Sequence, residues 1–176
     1  MSIIVVPLMG EHQAKNCALA MALCKEVLKE LDMVAVKKKL IEIDWPGRME
    51  VISKDPFVML DACINAASLV NVRNVLEHLA MGKVTTIVGI PDDKDFLGVI
   101  KGMKDVSENI ILTKSQNPHY NFTEKQGEKA LEIGIESMWT NSVEEAIRKA
   151  EEKELPIVIL GTTSVVSEVK NLYINL

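Results

Sequence analysis

From residue 55 onward, short β-branched or apolar runs alternate with longer segments of helical period. The strand-like runs cover residues 57–60, 84–88, 109–113, 136–139 and 157–160. The helix-like segments between them cover 66–80, 93–103, 123–133, 142–153 and 164–172. Asn141, just before Ser142, reads as an N-cap, with Glu145 in a charged first turn, and Pro156 marks the start of the last strand. Brief apolar strands alternating with helices predict a parallel sheet covered on both faces. With right-handed crossovers this becomes an α/β fold with a Rossmann-like, doubly wound, mainly parallel sheet.

The leading segment has another pattern. Residues 3–6 form a short β run, 11–31 a long helix rich in Ala, Leu, Met and Cys, and 34–43 a second helix carrying Lys37, Lys38 and Lys39. Trp45-Pro46-Gly47-Arg48 then breaks the chain in a turn. One strand and a helical hairpin are too little for a domain, so this part reads as the tail of a larger unit. The expected division is 1–44 and 45–176. The core is expected between residues 55 and 176, folding without residues 1–44, and the lysine triplet is read as a solvated helix face. The apolar face of 11–31 and the lone strand at 3–6 lead to an expectation of self-association, as a homodimer, through residues 1–31.

Composition narrows the function classes. A chain of 176 residues is about one domain and can bury roughly 70% of its unfolded surface. With 48% hydrophobic and 26% charged residues it is neither disordered nor fibrous. Aromatics at 4% argue against base stacking as the main activity, and a net charge of −5 argues against a broad footprint on nucleic acid or on an anionic membrane. The three cysteines, Cys17, Cys24 and Cys63, do not make a disulfide framework, and no metal-ligand spacing occurs. Cys17 and Cys24 are read as small core residues of the first helix. Residues 3–9 lack a basic leader and are too short to span a bilayer, so a cytoplasmic protein is expected.

In an open parallel sheet, ligands bind at the carboxyl ends of the strands. The segments there are Asp61-Ala62-Cys63-Ile64-Asn65, Gly89-Ile90-Pro91-Asp92-Asp93-Lys94-Asp95, Thr113 to His119, and Gly161-Thr162-Thr163-Ser164. Each is also a good loop or helix cap, but together they line one edge and suggest a binding rim. Neither a G-x-x-x-x-G-K-[ST] nor a G-x-G-x-x-G segment occurs. Of the three histidines, His78 is expected at the surface of a helix, whereas His12 and His119 lie near Gly or Pro loops.

The rim and the leading segment together resemble one family. Gly10-Glu11-His12-Gln13-Ala14-Lys15-Asn16-Cys17-Ala18-Leu19-Ala20 is similar to the segment that closes the central ATPase domain of Mur-type ligases. Trp45-Pro46-Gly47-Arg48-Met49-Glu50 resembles the linker of folylpolyglutamate synthase and dihydrofolate synthase. The stretch Leu60-Asp61 to Asn65 resembles that family's Asp-Gly-Ala-His-Asn-Pro loop, with Ala62, Ile64 and Ala66 in place of its Gly, His and Pro. Gly89 to Asp95 resembles its Asp-Lys-Asp loop. Asn117-Pro118 resembles its Asn-Pro-Arg loop, with His119 for Arg. Gly161-Thr162, with Glu168-Val169, resembles its final Gly-Ser turn and helix.

The resemblance implies the C-terminal portion of an ATP-dependent ligase that adds glutamate to folate through an acyl phosphate. It further implies ATP and magnesium as cofactors of the full-length enzyme, folate and glutamate as its substrates, and an ATP site between its central and C-terminal domains. By the same resemblance His12, Gln13 and Asn16 would flank the adenine, Arg48 would reach the phosphates and Asp61 would face the ribose. Lys94 and Asp61 are the candidates for catalysis, and Asn65, Asp93, Asp95 and Thr162 those for glutamate. The phosphate loop, metal ligands and folate-binding part would lie outside these 176 residues, so the chain is expected to be inactive by itself. A different class remains open: a non-catalytic Rossmann-like module that binds a nucleotide or a partner protein.

Overall fold

The computed structural model describes residues 3–174. Helices α1 (Glu11–Val27) and α2 (Met33–Leu40) come first. Strands β1 (Glu50–Lys54) and β2 (Phe57–Asp61) follow. Then come α3 (Ala66–His78), β3 (Val84–Gly89), α4 (Phe96–Met103), β4 (Ser107–Leu112) and α5 (Lys125–Glu132). The chain closes with β5 (Met138–Trp139), α6 (Val143–Glu151), β6 (Ile157–Gly161) and α7 (Thr163–Ile174).

The six strands form one sheet in the order β1-β2-β6-β3-β4-β5. Strands β2, β6, β3, β4 and β5 run parallel, and β1 adds to the edge antiparallel to β2. Side chains alternate between the two faces, as the strand period requires. Met59, Val88, Val158 and Leu160 pack under α3, α4 and α5 in one cluster. Val58, Leu60, Ile87, Ile157 and Ile159 pack against α6 and α7 in the other. The central strand β6 is buried along its whole length, which explains why its sequence is continuously apolar rather than alternating. The α/β, mainly parallel architecture expected from the sequence is the one observed.

The differences lie at the N-terminal side and the helix starts. Residues 3–6 do not form a strand: no neighbouring strand pairs with them, and Pro7 has no N–H to offer a ladder. Strand β1 is an element the sequence pattern does not mark, because Glu-Val-Ile-Ser-Lys has too short an apolar run to stand out without its partner. The folded core therefore begins at Met49, which is 3% exposed, and not at residue 55. Helix α4 starts at Phe96 rather than 93, because the Asp95 carboxylate accepts from Gly98 N at 2.9 Å and caps it. The cap of α6 is Ser142, not Asn141: Ser142 Oγ accepts from Glu145 N at 3.1 Å, and Glu145 returns to the Asn141 N–H at 2.9 Å. Cys17 and Cys24 are not core residues, being half-buried and exposed, whereas Cys63 is buried. No helix among the described residues is long and apolar enough to cross a membrane.

Candidate functional site

The site is built where the α1–α2 hairpin leans on the carboxyl end of β2. A turn at Gly47–Met49 delivers Arg48 to that place. Gly47 has φ 69°, and the Cβ of any other residue would come within 2.8 Å of Val166 on α7. Ala62 N donates to Gly47 O at 2.9 Å, and Met49 N donates to Asp61 Oδ2 at 2.9 Å. The turn is thereby tied to the last residue of β2.

Between the hairpin and β2 lies a cavity of about 720 Å³. Its apolar wall includes Met21, Val36, Leu40, Ile43 and Ile64, and its polar groups include His12, Gln13, Asn16, Arg48, Asp61 and Asn65. Gln13, the buried residue of α1, accepts from Asn16 Nδ2 at 3.2 Å, so the two amides orient one another. Burial pushes the Asp61 carboxyl above the ordinary carboxylate range; the Met49 N–H and the Arg48 charge oppose this only in part. Burial, followed by the Arg48 charge, holds His12 below the ordinary imidazole value and favours its neutral form. The cavity therefore offers a neutral ring, the paired amides of Gln13 and Asn16, the further amides of Asn65 and Asn71, the Asp61 carboxyl and one guanidinium beside its apolar wall. This suits a flat, partly polar ligand with an anionic end.

The residues expected to flank a nucleotide, drawn from three separate segments, thus meet in one place. Of the other candidates only Asn65 joins them, at the cavity wall. Asp93 and Lys94 are exposed and paired with each other at 3.2 Å. Asp95 holds two helix starts together, its second oxygen accepting from Ala66 N at 3.0 Å, while Asn65 caps α3 through Ser68 N at 2.9 Å. Thr162 is buried and caps α7, its hydroxyl accepting from Val165 N at 3.4 Å. His119 and His78 are exposed at the surface. Among the described residues no group of His, Cys, Asp or Glu is placed to hold a metal ion.

Several contributors had no assigned role in the sequence reading. Trp45, Met21 and Asn71 line the cavity. Glu50 lies beside the turn, inside the quoted Trp-Pro-Gly-Arg-Met-Glu run, so its signal was visible though its role was not. Its partner Lys170 has no local signal, since the two lie 120 residues apart.

Comparison with known proteins gives the same direction. No protein-family model matches the chain. The probable bifunctional folylpolyglutamate synthase/dihydropteroate synthase of Haloferax volcanii is 25% identical over 174 residues, covering 94% of this chain and 20% of that protein. The UDP-N-acetylmuramoyl-L-alanyl-D-glutamate–2,6-diaminopimelate ligase of Aquifex aeolicus is 31% identical over 169 residues, covering 88% of this chain and 33% of that protein. The crystal structure of Mycobacterium tuberculosis folylpolyglutamate synthase complexed with ADP and AMPPCP superposes with a TM-score of 0.88 at 26% identity, covering 98% of this chain and 42% of that one. A bifunctional folylpolyglutamate synthase/dihydrofolate synthase with Mn, AMPPNP and L-glutamate bound shares the fold, with a TM-score of 0.84, 24% identity and coverage of 100% and 42%. Homologues named folylpolyglutamate synthase thus cover this chain, and their structures match it in their C-terminal domain. The chain spans between a fifth and about two fifths of the length of these proteins.

Proposed function

We propose that these residues form the C-terminal, nucleotide-facing part of an ATP-dependent ligase that adds glutamate to folate. The observation that carries this reading is the meeting of His12, Gln13, Asn16, Arg48 and Asp61 in one cavity. Those are the positions that the resemblance assigns to the nucleotide.

The cavity suits an adenosine: the apolar wall accepts a ring face, and the amides of Gln13 and Asn16 can donate to and accept from its polar edge. Neutral His12 adds a flat, uncharged neighbour. Asp61, at the rim of β2, can accept from a ribose hydroxyl, and the Arg48 guanidinium can fork onto phosphate oxygens. Among the described residues no group of side chains fits a metal site, so magnesium ligands would come from elsewhere in a complete enzyme. Bound there, ATP would supply the phosphoryl group that turns the folate γ-carboxylate into an acyl phosphate, releasing ADP, and the amine of glutamate would then displace phosphate to form the amide. Lys94 is free to exchange exposed Asp93 for a substrate carboxylate. Thr162 would act from the start of α7, and Asn65 and Asp95 through the helix starts they cap. Without a phosphate cradle the chain alone would not turn over ATP.

A second reading has its own support. Ile64 stands in the cavity wall where the family's loop carries histidine, and it has no hydrogen-bonding group. That favours a non-catalytic module that binds a nucleotide without reacting it.

Titration calorimetry with ADP tests the common part. The chain should bind ADP, and Arg48→Ala should weaken binding by roughly tenfold or more. No heat on titrating the unaltered chain would end the nucleotide reading. ADP released from ATP by the purified chain, and abolished by Asp61→Ala, would overturn the expected inactivity. Folate-dependent turnover on adding a separately made ATPase half would separate the ligase from the non-catalytic module.

A further inference from the structure

The turn that carries Arg48 is an uncommon piece of backbone. Gly47 has φ 69° and Met49, which is not a glycine, has φ 47°. Left-handed backbone at a bulky, buried residue persists only where its surroundings over-determine it. Three contacts do so at its two ends: Ala62 N to Gly47 O, Met49 N to Asp61 Oδ2, and Gly47 N to Glu50 Oε2 at 2.8 Å. The Arg48 guanidinium then folds back, its Nη1 donating to Gly47 O at 3.3 Å.

Glu50 is the part of this arrangement that the cavity does not explain. One of its oxygens takes the Gly47 N–H, and the other takes Lys170 Nζ of α7 at 2.6 Å. The two side chains are 22% and 25% exposed, so the pair is less screened than one at the open surface. Neither residue lines the cavity. Helix α7 is itself anchored: Asn117 Nδ2 donates to Ser164 Oγ at 2.7 Å, Gln116 N donates to Glu168 Oε1 at 2.8 Å, and Val165 and Val169 are fully buried.

We propose that Glu50 and Lys170 are positioning residues: the ion pair fixes the Gly47–Met49 turn to α7 and so sets Arg48 and Asp61 for the ligand of the cavity. The assignment to a nucleotide rests on the reading given under Proposed function. Without the ammonium group, the half-buried Glu50 carboxylate keeps one backbone partner and gains by turning to water. The Gly47 N–H is then released, and with it the fixed direction of Arg48 and the alignment of Met49 N on Asp61.

The experiment compares Lys170→Met, Lys170→Arg and the unaltered chain by amide hydrogen exchange and by ADP calorimetry. Lys170→Met should lose at least about tenfold of the protection at the Gly47 and Met49 amides, with the amides of β3 and β6 unchanged. It should also weaken ADP by about tenfold, while Lys170→Arg retains both properties. Should Lys170→Met fail to fold, Glu50→Gln, which keeps an acceptor for Gly47 but loses the charge, is read in its place. Unchanged protection in the variant overturns the proposal. So does an unchanged ADP affinity despite lost protection, or a Lys170→Arg chain as impaired as Lys170→Met. If the unaltered chain binds no ADP, the nucleotide reading falls, and hydrogen exchange alone decides whether the pair positions the turn.

Discussion

The backbone N–H of Met49 donates to Oδ2 of Asp61 at 2.9 Å, joining the turn before β1 to the end of β2. Asp61 is 7% exposed, and the bond answers one oxygen of a carboxylate that burial would otherwise leave poorly solvated. Arg48, the residue before Met49, lies in the cavity wall beside this contact.

That burial makes stability depend on pH in a definite direction. Asp61 titrates above its ordinary value of 3.8 in the folded chain. As pH rises, the unfolded chain loses this proton first, so the native state binds more protons across the window that starts at 3.8 and ends at the raised folded value. The contribution of Asp61 to stability therefore falls as pH rises through that window. Asp61→Asn keeps an acceptor for Met49 N and removes the charge. Its stability relative to the unaltered chain should increase as pH rises above 3.8 in urea titrations. Parallel pH profiles for the two proteins would contradict the assignment.

Gly161 ends β6 where the backbone approaches β3. A Cβ there would sit 2.7 Å from Gly89 O and 3.0 Å from Val165 Cβ. The first neighbour is backbone in the sheet centre and cannot swing aside. Gly161→Ala should cost about 1–3 kcal/mol by urea unfolding. A midpoint matching that of the unaltered chain would show that the sheet end can relax.

Gly127 offers the opposite case. It lies inside α5 and an added Cβ would meet nothing within 4 Å. Gly127→Ala should raise stability by about 0.5–1 kcal/mol, because alanine loses less backbone freedom on entering the helix. Thermal melting of the two single variants side by side tests both signs.

Truncation separates the hairpin from the sheet. Gln13 is the buried residue of α1, and α2 has none. A chain covering 45–176 should keep a cooperative thermal transition, whereas one starting at residue 55 loses β1 and uncovers the edge of β2. A lost transition in the longer of the two would make the hairpin part of the core. Light scattering on the full chain and on the chain covering 45–176 decides the proposed self-association through residues 1–31. Leu19, Leu23 and Val27, each at least 60% exposed, recur every fourth residue on α1, and a dimer lost with them is the expected result. A monomer for both chains would sink it.

The strands β2, β3, β4 and β6, with their intervening helices, were legible in the sequence, because each strand carries a short β-branched or apolar run where the sheet is covered on both faces and the helices between keep a helical period. The local caps were nearly legible: Ser142 and Asn141 are neighbours, and only side-chain geometry decides which one accepts from Glu145 N. The Trp-Pro-Gly-Arg run pointed to Arg48, and the loop after β2 to Asp61. Tertiary structure alone decided the rest. Residues 3–6 are as apolar as many strands but find no partner, while the weaker sequence at Glu50–Lys54 becomes one by pairing with β2. His12 and Asp61 share a cavity because the hairpin folds back onto the sheet, and Glu50 meets Lys170 across 120 residues of chain. A periodic pattern reports only which face of an element avoids water; it holds no record of which distant charge will share that dry space, since that is settled by how the elements pack.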